Sequence, residues 1–234
     1  MPLFEFPDIV LHADEFAVKR HAQYRAAKAG DILAAAALVG EFINNDSVRQ
    51  LRTWLRGRPV ELVPIHALES GGVNEIPEEL AKLLSRHLGL TVNRSIVQSN
   101  SVGHTGASGF QRLAHQAIFI GEVRPESQCF LVDDFVGQGG TLANLIGFIA
   151  SRGSQVLGAT VLTGKPYSAK LAPDKGLIQA LRDRHGPDFE QWWQQHFGFG
   201  FNCLTRSEAR YLEKSPDAHT IRDRLAAAGF EGSA

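Results

Sequence analysis

Between residues 60 and 164, short β-branched or apolar runs alternate with helix-length segments, and this alternation restricts the fold more than any other feature. The runs "VELVPIHAL" (60–68), "LTVNRSIV" (90–97), "QAIFIGEV" (116–123), "QCFLVDD" (128–134) and "QVLGATVLTG" (155–164) read as strands. "PEELAKLLSRHLG" starts with Pro77 at a first helical position and stops at Gly89, and "TLANLIGFIASRG" is a second helix. Strands alternating with helices imply an α/β protein whose mainly parallel sheet is covered on both faces. The unbroken "CFLV" predicts an interior strand, because an edge strand or a half-exposed one would alternate with polar residues. Pro64 places its strand at an edge or ends it there.

The two ends read differently. Residues 1–58 are predicted helical: "DILAAAALVGEFI" opens at a capping Asp31, and "DSVRQLRTWLRG" runs from Asp46 to Gly57. Residues 59–165 form the sheet-bearing core. Residues 166–234 make a mainly helical extension holding "GLIQALRDRHG", the aromatic "DFEQWWQQHFGFGFN", and two capped helices. In "LTRSEARYL", Thr205 and Glu208 have capping-box spacing, and "DAHTIRDRLAAAG" runs from Asp217 to Gly229. Net charge is −1 with 44% apolar residues, so composition favours a globular chain and gives no electrostatic ground for nucleic acid or membrane. Cys129 and Cys203 cannot make a disulfide framework or a metal cluster. "MPLFEFPDIV" lacks a secretion-signal pattern, and "ILAAAALVGEFI" is too short to span a bilayer, so a cytoplasmic location is expected.

The stretch "FLVDDFVGQGGTLANL" carries the chemistry. Ligands on open parallel sheets bind at the carboxyl ends of strands, near a switch in strand order. Asp133 and Asp134 close the central strand; Gly137, Gly139 and Gly140 follow, and a helix begins near Thr141. Backbone N–H groups at a helix start attract anions, and glycines let a phosphate approach. A Walker loop requires a lysine after its glycines, which is missing. A Rossmann turn requires a third glycine where Leu142 stands, and its acid comes later in the chain. Acids before the loop suit a ligand with hydroxyls and a phosphate side by side.

"CFLVDDFVGQGGT" resembles the signature of type I phosphoribosyltransferases. The resemblance implies that residues 137–141 (Gly137, Gln138, Gly139, Gly140 and Thr141) hold the 5′-phosphate of phosphoribosyl pyrophosphate. It implies that Asp133 and Asp134 contact the ribose hydroxyls and, with Mg²⁺ as cofactor, the metal. Gln138 departs from the usual Thr or Ala, and Gly137 replaces the base-assisting Asp of 6-oxopurine enzymes, so the base is left open. "GGVNEIPEELAKLL" is similar to the corresponding stretch of the ComF-like branch, which assigns Glu69, Ser70, Gly71 and Gly72 to a pyrophosphate-binding turn. His66 reads as a strand-end structural histidine.

The glycine-rich "SNSVGHTGASGFQRL" fits a lid closing over the substrate, with Arg112 as the catalytic cation and His104 as a lesser candidate. Read by itself, Arg112 equally well begins the next strand on a solvated face. Lys165 in "GATVLTGKPYS" is placed by the resemblance at the base, or stands solvated at a strand end. Phe189, Trp192, Trp193, Phe197, Phe199 and Phe201 either stack on a base or pack a core. The implied function is transfer of ribose 5-phosphate between phosphoribosyl pyrophosphate and a nitrogenous base by a Mg²⁺-dependent homo-oligomer. Its alternatives are a non-catalytic sensor of the same ligand or a nucleotide, and a ComF-like DNA-uptake-associated protein.

Overall fold

A computed structural model describes residues 2–69, 72–100 and 108–229. Its centre is a five-stranded sheet in the order β1-β9-β8-β2-β5, built from β1 (Val10–Ala13), β9 (Gln155–Gly164), β8 (Gln128–Val136), β2 (Val60–Pro64) and β5 (Thr91–Val92). All its pairings are parallel. From β2 the chain crosses to β5 on one side, and its next strand in this sheet, β8, lies on the other. The switch in strand order therefore falls between β2 and β8.

The all-apolar run is interior, as its composition requires. Phe130 and Val132 face a core formed with α3 (Ile32–Phe42), α4 (Asn45–Leu55) and α5 (Ile76–Leu88). Cys129 and Leu131 face the opposite core, shared with Leu142, Leu145 and Ile149 of α7 (Gly140–Ala150). Successive strand residues point to opposite faces, so a strand buried on both sides cannot carry a polar alternate.

Residues 1–58 are not wholly helical. Val10–Ala13 form the edge strand β1 beside β9, followed by α1 (Glu15–Arg20) and α2 (Tyr24–Lys28). The segment "FPDIVLHAD" is too short and too mixed to advertise a strand; pairing with β9 defines it. Asp31 caps α3 as expected, whereas Asn44, rather than Asp46, caps α4. The expected strand at 90–97 divides into β5 and β6 (Ile96–Gln98). β6 leaves the main sheet to pair antiparallel with β7 (Phe119–Gly121), while β3 (Leu68–Glu69) and β4 (Gly72–Val73) make a second small ladder. Pro64 is the last residue of an interior strand, and the next N–H, that of Ile65, still donates to the Val132 carbonyl of β8 at 2.9 Å.

The C-terminal extension has its own core. Phe189 and Trp193 of α9 (Pro187–Phe197), with Phe201 and Leu204, are fully buried among α6 (Gly109–Ala114), α8 (Lys175–His185), α10 (Arg206–Glu213) and α11 (Ala218–Ala227). Of the two uses open to the aromatic cluster, these residues take core packing. Trp192, Phe197 and Phe199 pack partly buried against the same core. No helix among the described residues is long and apolar enough to cross a membrane.

Candidate functional site

The acid pair lies near the carboxyl end of the middle strand, beside the switch in strand order. Asp133 and Asp134 are each 7% exposed. At this end of the strand the two carboxyls remain close enough to interact directly. Asp134 follows Phe130 and Val132 towards the face covered by the N-terminal helices, where its Oδ2 meets Lys28 Nζ at 2.9 Å. Asp133 Oδ1 accepts the Asp134 backbone N–H at 2.8 Å. Burial, then the neighbouring Asp134 carboxylate, pushes the Asp133 carboxyl well above its usual range; that N–H and Lys28 pull it back only in part.

Lys28 is the last residue of α2, and its backbone is pinned. Ala27 is fully buried, and its carbonyl accepts the Glu75 N–H at 3.2 Å. Gly72, at φ +138°, is so close to the Ala29 backbone that a side chain would collide with it. The N-terminal segment therefore packs against both the acid pair and the turn assigned to pyrophosphate. Within that turn Glu69 and Gly72 pair across the β3–β4 ladder; Ser70 and Gly71 lie outside the described residues.

Beyond β8 the loop turns into α7. Gly139 takes φ +85° at the helix N-cap, no side chain caps the first turn, and that turn holds no acidic residue. Gly140 and Thr141 open a helix of eleven residues whose first N–H groups form an anion-binding end. Gln138 lies between, its side-chain Oε1 buried with no hydrogen-bond partner among the described residues.

The outer side of this loop is covered by the C-terminal extension. Thr205 Oγ1 donates to the Gln138 carbonyl at 2.7 Å. A Cβ on Gly140 would lie 2.6 Å from Glu208 Oε1, and one on Gly139 would strike Leu171. The capping box read from the sequence is present, with Thr205 N–H donating to Glu208 Oε2 at 2.9 Å. Burial raises the Glu208 carboxyl to about 7, against the lowering by its Thr205 hydrogen bonds. The box thus caps α10 and also seats it on the loop.

Arg112 lies on α6, not at the start of a strand. Its helix opens with a full capping box from Ser108 and Gln111. A Cβ on Gly137 would lie 3.1 Å from Arg112 Nη1 and 3.3 Å from the Phe135 ring, so the guanidinium occupies the side where a residue at 137 would project. Lys19 Nζ lies 3.9 Å from the Phe135 ring centroid and bonds Glu15 at 2.6 Å. Lys28, Lys19 and Arg112 thus surround the end of β8 with positive charge. Lys165 is exposed at the end of β9, its N–H donating to the Val136 carbonyl at 3.3 Å. It borders the loop from the adjacent strand, with its ammonium 5.8 Å from the Tyr167 ring centroid. His104 lies outside the described residues.

His66, read as a strand-end structural histidine, follows β2. It bridges Val97, and its Nε2 lies 3.4 Å from Glu78 Oε2, while burial lowers its pKa. Glu78 is itself held by Arg94 at 2.7 Å and Lys82 at 3.4 Å.

The donors present are a poor match to the Mg²⁺ that the resemblance implies. Mg²⁺ requires near-octahedral oxygen ligands. Asp133 spends one oxygen on a backbone N–H, and Asp134 already carries an ammonium. The acid pair does not fit a resident divalent ion.

A parallel sheet whose middle strand carries buried acids near its end and runs into a glycine turn defines an α/β protein with its candidate site at the strand ends. The phosphoribosyl transferase domain model matches residues 64–189, and the chain belongs to that family. Protein TraN of Escherichia coli is 38% identical over 230 residues, covering 98% of this chain and 51% of that protein. An uncharacterized protein of Haemophilus influenzae is 36% identical over 145 residues, covering 62% of this chain and 32% of that protein. The chain thus spans about half of one relative and about a third of the other. A hypoxanthine phosphoribosyltransferase from Staphylococcus aureus superposes with a TM-score of 0.37 at 18% identity, over 60% of this chain and 67% of that one. A likeness at that level carries no weight of its own.

Proposed function

We propose that the chain is a phosphoribosyltransferase, moving ribose 5-phosphate between phosphoribosyl pyrophosphate and a nitrogenous base. The observation that carries this reading is the uncapped start of α7 directly after a buried acid pair, inside the segment matched by the family. The N–H groups at 139–141 and the Thr141 hydroxyl receive the 5′-phosphate. The carboxylates accept hydrogen bonds from the ribose hydroxyls and so orient the anomeric carbon. Arg112, on α6, adds positive charge beside the loop where charge develops on the departing group; the lid expected before it lies outside the described residues at 101–107. No protein nucleophile is required, because displacement at the anomeric carbon depends on orientation, charge stabilisation and exclusion of water.

One observation favours a second reading, a non-catalytic sensor of the same ligand. The side of the loop at Gly137 carries the Arg112 guanidinium, and Gly137 itself offers no carboxylate to move a proton on a base. Calorimetric titration with phosphoribosyl pyrophosphate, followed by a panel of bases assayed for pyrophosphate release, separates the two. Binding with release is expected; binding without release for every base selects the sensor. Absence of binding, or equal binding by the doubly substituted Asp133→Asn, Asp134→Asn chain, refutes both.

A further inference from the structure

We propose that Lys28 is the resident cation of the acid pair, standing where a divalent ion would otherwise sit, so that a ribose phosphate binds here without metal. The inference rests on the reading of this site as a ribose-phosphate site and adds a residue from outside the segment matched by the family. Lys28 Nζ lies 2.9 Å from Asp134 Oδ2, and the carboxylate is 9% exposed. A divalent ion on that oxygen would face an ammonium at hydrogen-bonding distance, and in a buried setting two such cations repel strongly.

The lysine is not a wandering surface chain. Its helix is held by Glu75 bonding to the Ala27 carbonyl and by the contact of Gly72 with the Ala29 backbone. That same contact joins its helix to the β3–β4 turn, while the ammonium reaches the acid pair. Lys19 over Phe135 and Arg112 against Gly137 add positive charge on either side. Lys19 is itself paired with Glu15, so the cation that meets the acid pair before any ligand arrives is Lys28, and its ammonium disfavours a further 2+ charge on Asp134. Asp134 can accept from the ammonium and from a sugar hydroxyl together, since an ionised carboxylate has about four lone-pair sites.

The test measures ribose 5-phosphate affinity of the full chain by calorimetry, in EDTA and in Mg²⁺, for wild type, Lys28→Met and Lys28→Arg. Wild type is expected to bind equally well in both. Lys28→Met is expected to lose about tenfold or more in EDTA, on the order of 1.4 kcal/mol, and to recover with Mg²⁺. Lys28→Arg is expected to stay metal-independent. A merely structural lysine would not create a metal requirement. A wild type that loses binding in EDTA, or a Lys28→Met chain that binds in EDTA as wild type does, overturns the proposal, as does a loss that Mg²⁺ fails to restore. A parallel titration with Mn²⁺ alone, read by paramagnetic resonance, needs no sugar ligand. One equivalent bound by Lys28→Met and none by wild type supports the proposal; any other pattern there counts against it. If ribose 5-phosphate binds no variant under any condition, the ribose-phosphate reading fails and the Mn²⁺ titration alone decides the role of Lys28.

Discussion

Replacing Thr205 with Val tests whether the C-terminal extension holds the glycine loop, proposed above to bind phosphate, in shape. Thr205 is fully buried, and its hydroxyl makes two bonds: it donates to the Gln138 carbonyl at 2.7 Å and accepts the Glu208 N–H at 3.1 Å. Valine keeps the volume and removes both. A neutral hydrogen bond contributes about 1 kcal/mol net, and an N-cap hydroxyl contributes about 1 kcal/mol. The expected loss is therefore about 2 kcal/mol, or roughly 4–8 °C in melting temperature for a chain of this size. Urea unfolding followed by tryptophan fluorescence measures it. Thr205→Ser retains the hydroxyl and gives up one methyl, so its stability loss is about 1 kcal/mol. The two variants part company at the ligand. Freed from Thr205, the Gln138–Gly139 peptide can rotate its N–H out of the anion site. Ribose 5-phosphate affinity is expected to fall about fivefold in Thr205→Val, equivalent to roughly 1 kcal/mol, and to hold in Thr205→Ser. A Thr205→Val chain within about 0.5 kcal/mol of wild type, below the usual worth of even one such bond, would refute the reasoning. So would equal ligand affinities for the two variants.

Gly139→Ala combines a left-handed φ of +85° with a collision against Leu171, and should cost about 2–4 kcal/mol from strain and overpacking together. A chemical-denaturation midpoint unchanged from wild type would show that the loop can be rebuilt at little cost. Two buried groups give stability opposing pH slopes. Glu208 titrates at about 7 against an ordinary 4.5, so its contribution is fully present below pH 4.5 and lost as pH rises through 7. His12 titrates at about 4 against 6.5, because burial outweighs the Asn44 N–H bond. Its contribution is complete above pH 6.5 and lost as pH falls through 4. Each displacement corresponds to about 3 kcal/mol, so the slopes offset each other between pH 4.5 and 6.5. Glu208→Gln should remove one of the slopes opposing His12, so unfolding free energy should fall more steeply than in wild type from pH 6.5 to 4.5. An unchanged profile would mean that Glu208 does not titrate where its burial implies.

The core of the fold was legible because its signals are local. An apolar run without polar alternates needs cover on both faces, and Phe130 and Leu131 find it on opposite sides of the sheet. Helix ends at Asp31, Pro77, Gly89 and Thr205 announce themselves through capping chemistry within a few residues. What escaped was pairing between distant segments. "VLHA" contains a buried histidine, His12, that breaks the apolar pattern. It is tolerated because Thr160 of the neighbouring strand lies 3.1 Å from Nε2 and Asn44 donates to Nδ1. That strand is defined by β9, and no window of sequence around residue 10 contains β9.

The candidate site divides along the same line. Acid pair, glycine turn and helix start are contiguous, so their order alone predicts a ligand with hydroxyls next to a phosphate. Arg112 followed from its place at the end of a glycine-rich loop, although the helix that carries it did not. Lys28 lies 106 residues from Asp134 in sequence, on a short helix whose composition reads as ordinary solvated surface. Thr205 and Glu208 were legible as a helix cap, but the surface that cap would meet was not. In each case the local half of the interaction was visible and its partner was not. Contiguous chemistry identifies what a site can hold. The groups that compensate its charge and brace its loop come from elsewhere in the chain, and Asp134 explains why they must. A carboxylate 9% exposed, next to a second one in the strand, is costly unless a cation reaches it. Two buried acids in succession are thus a demand for a distant cation, which the sequence states without saying where it will be met.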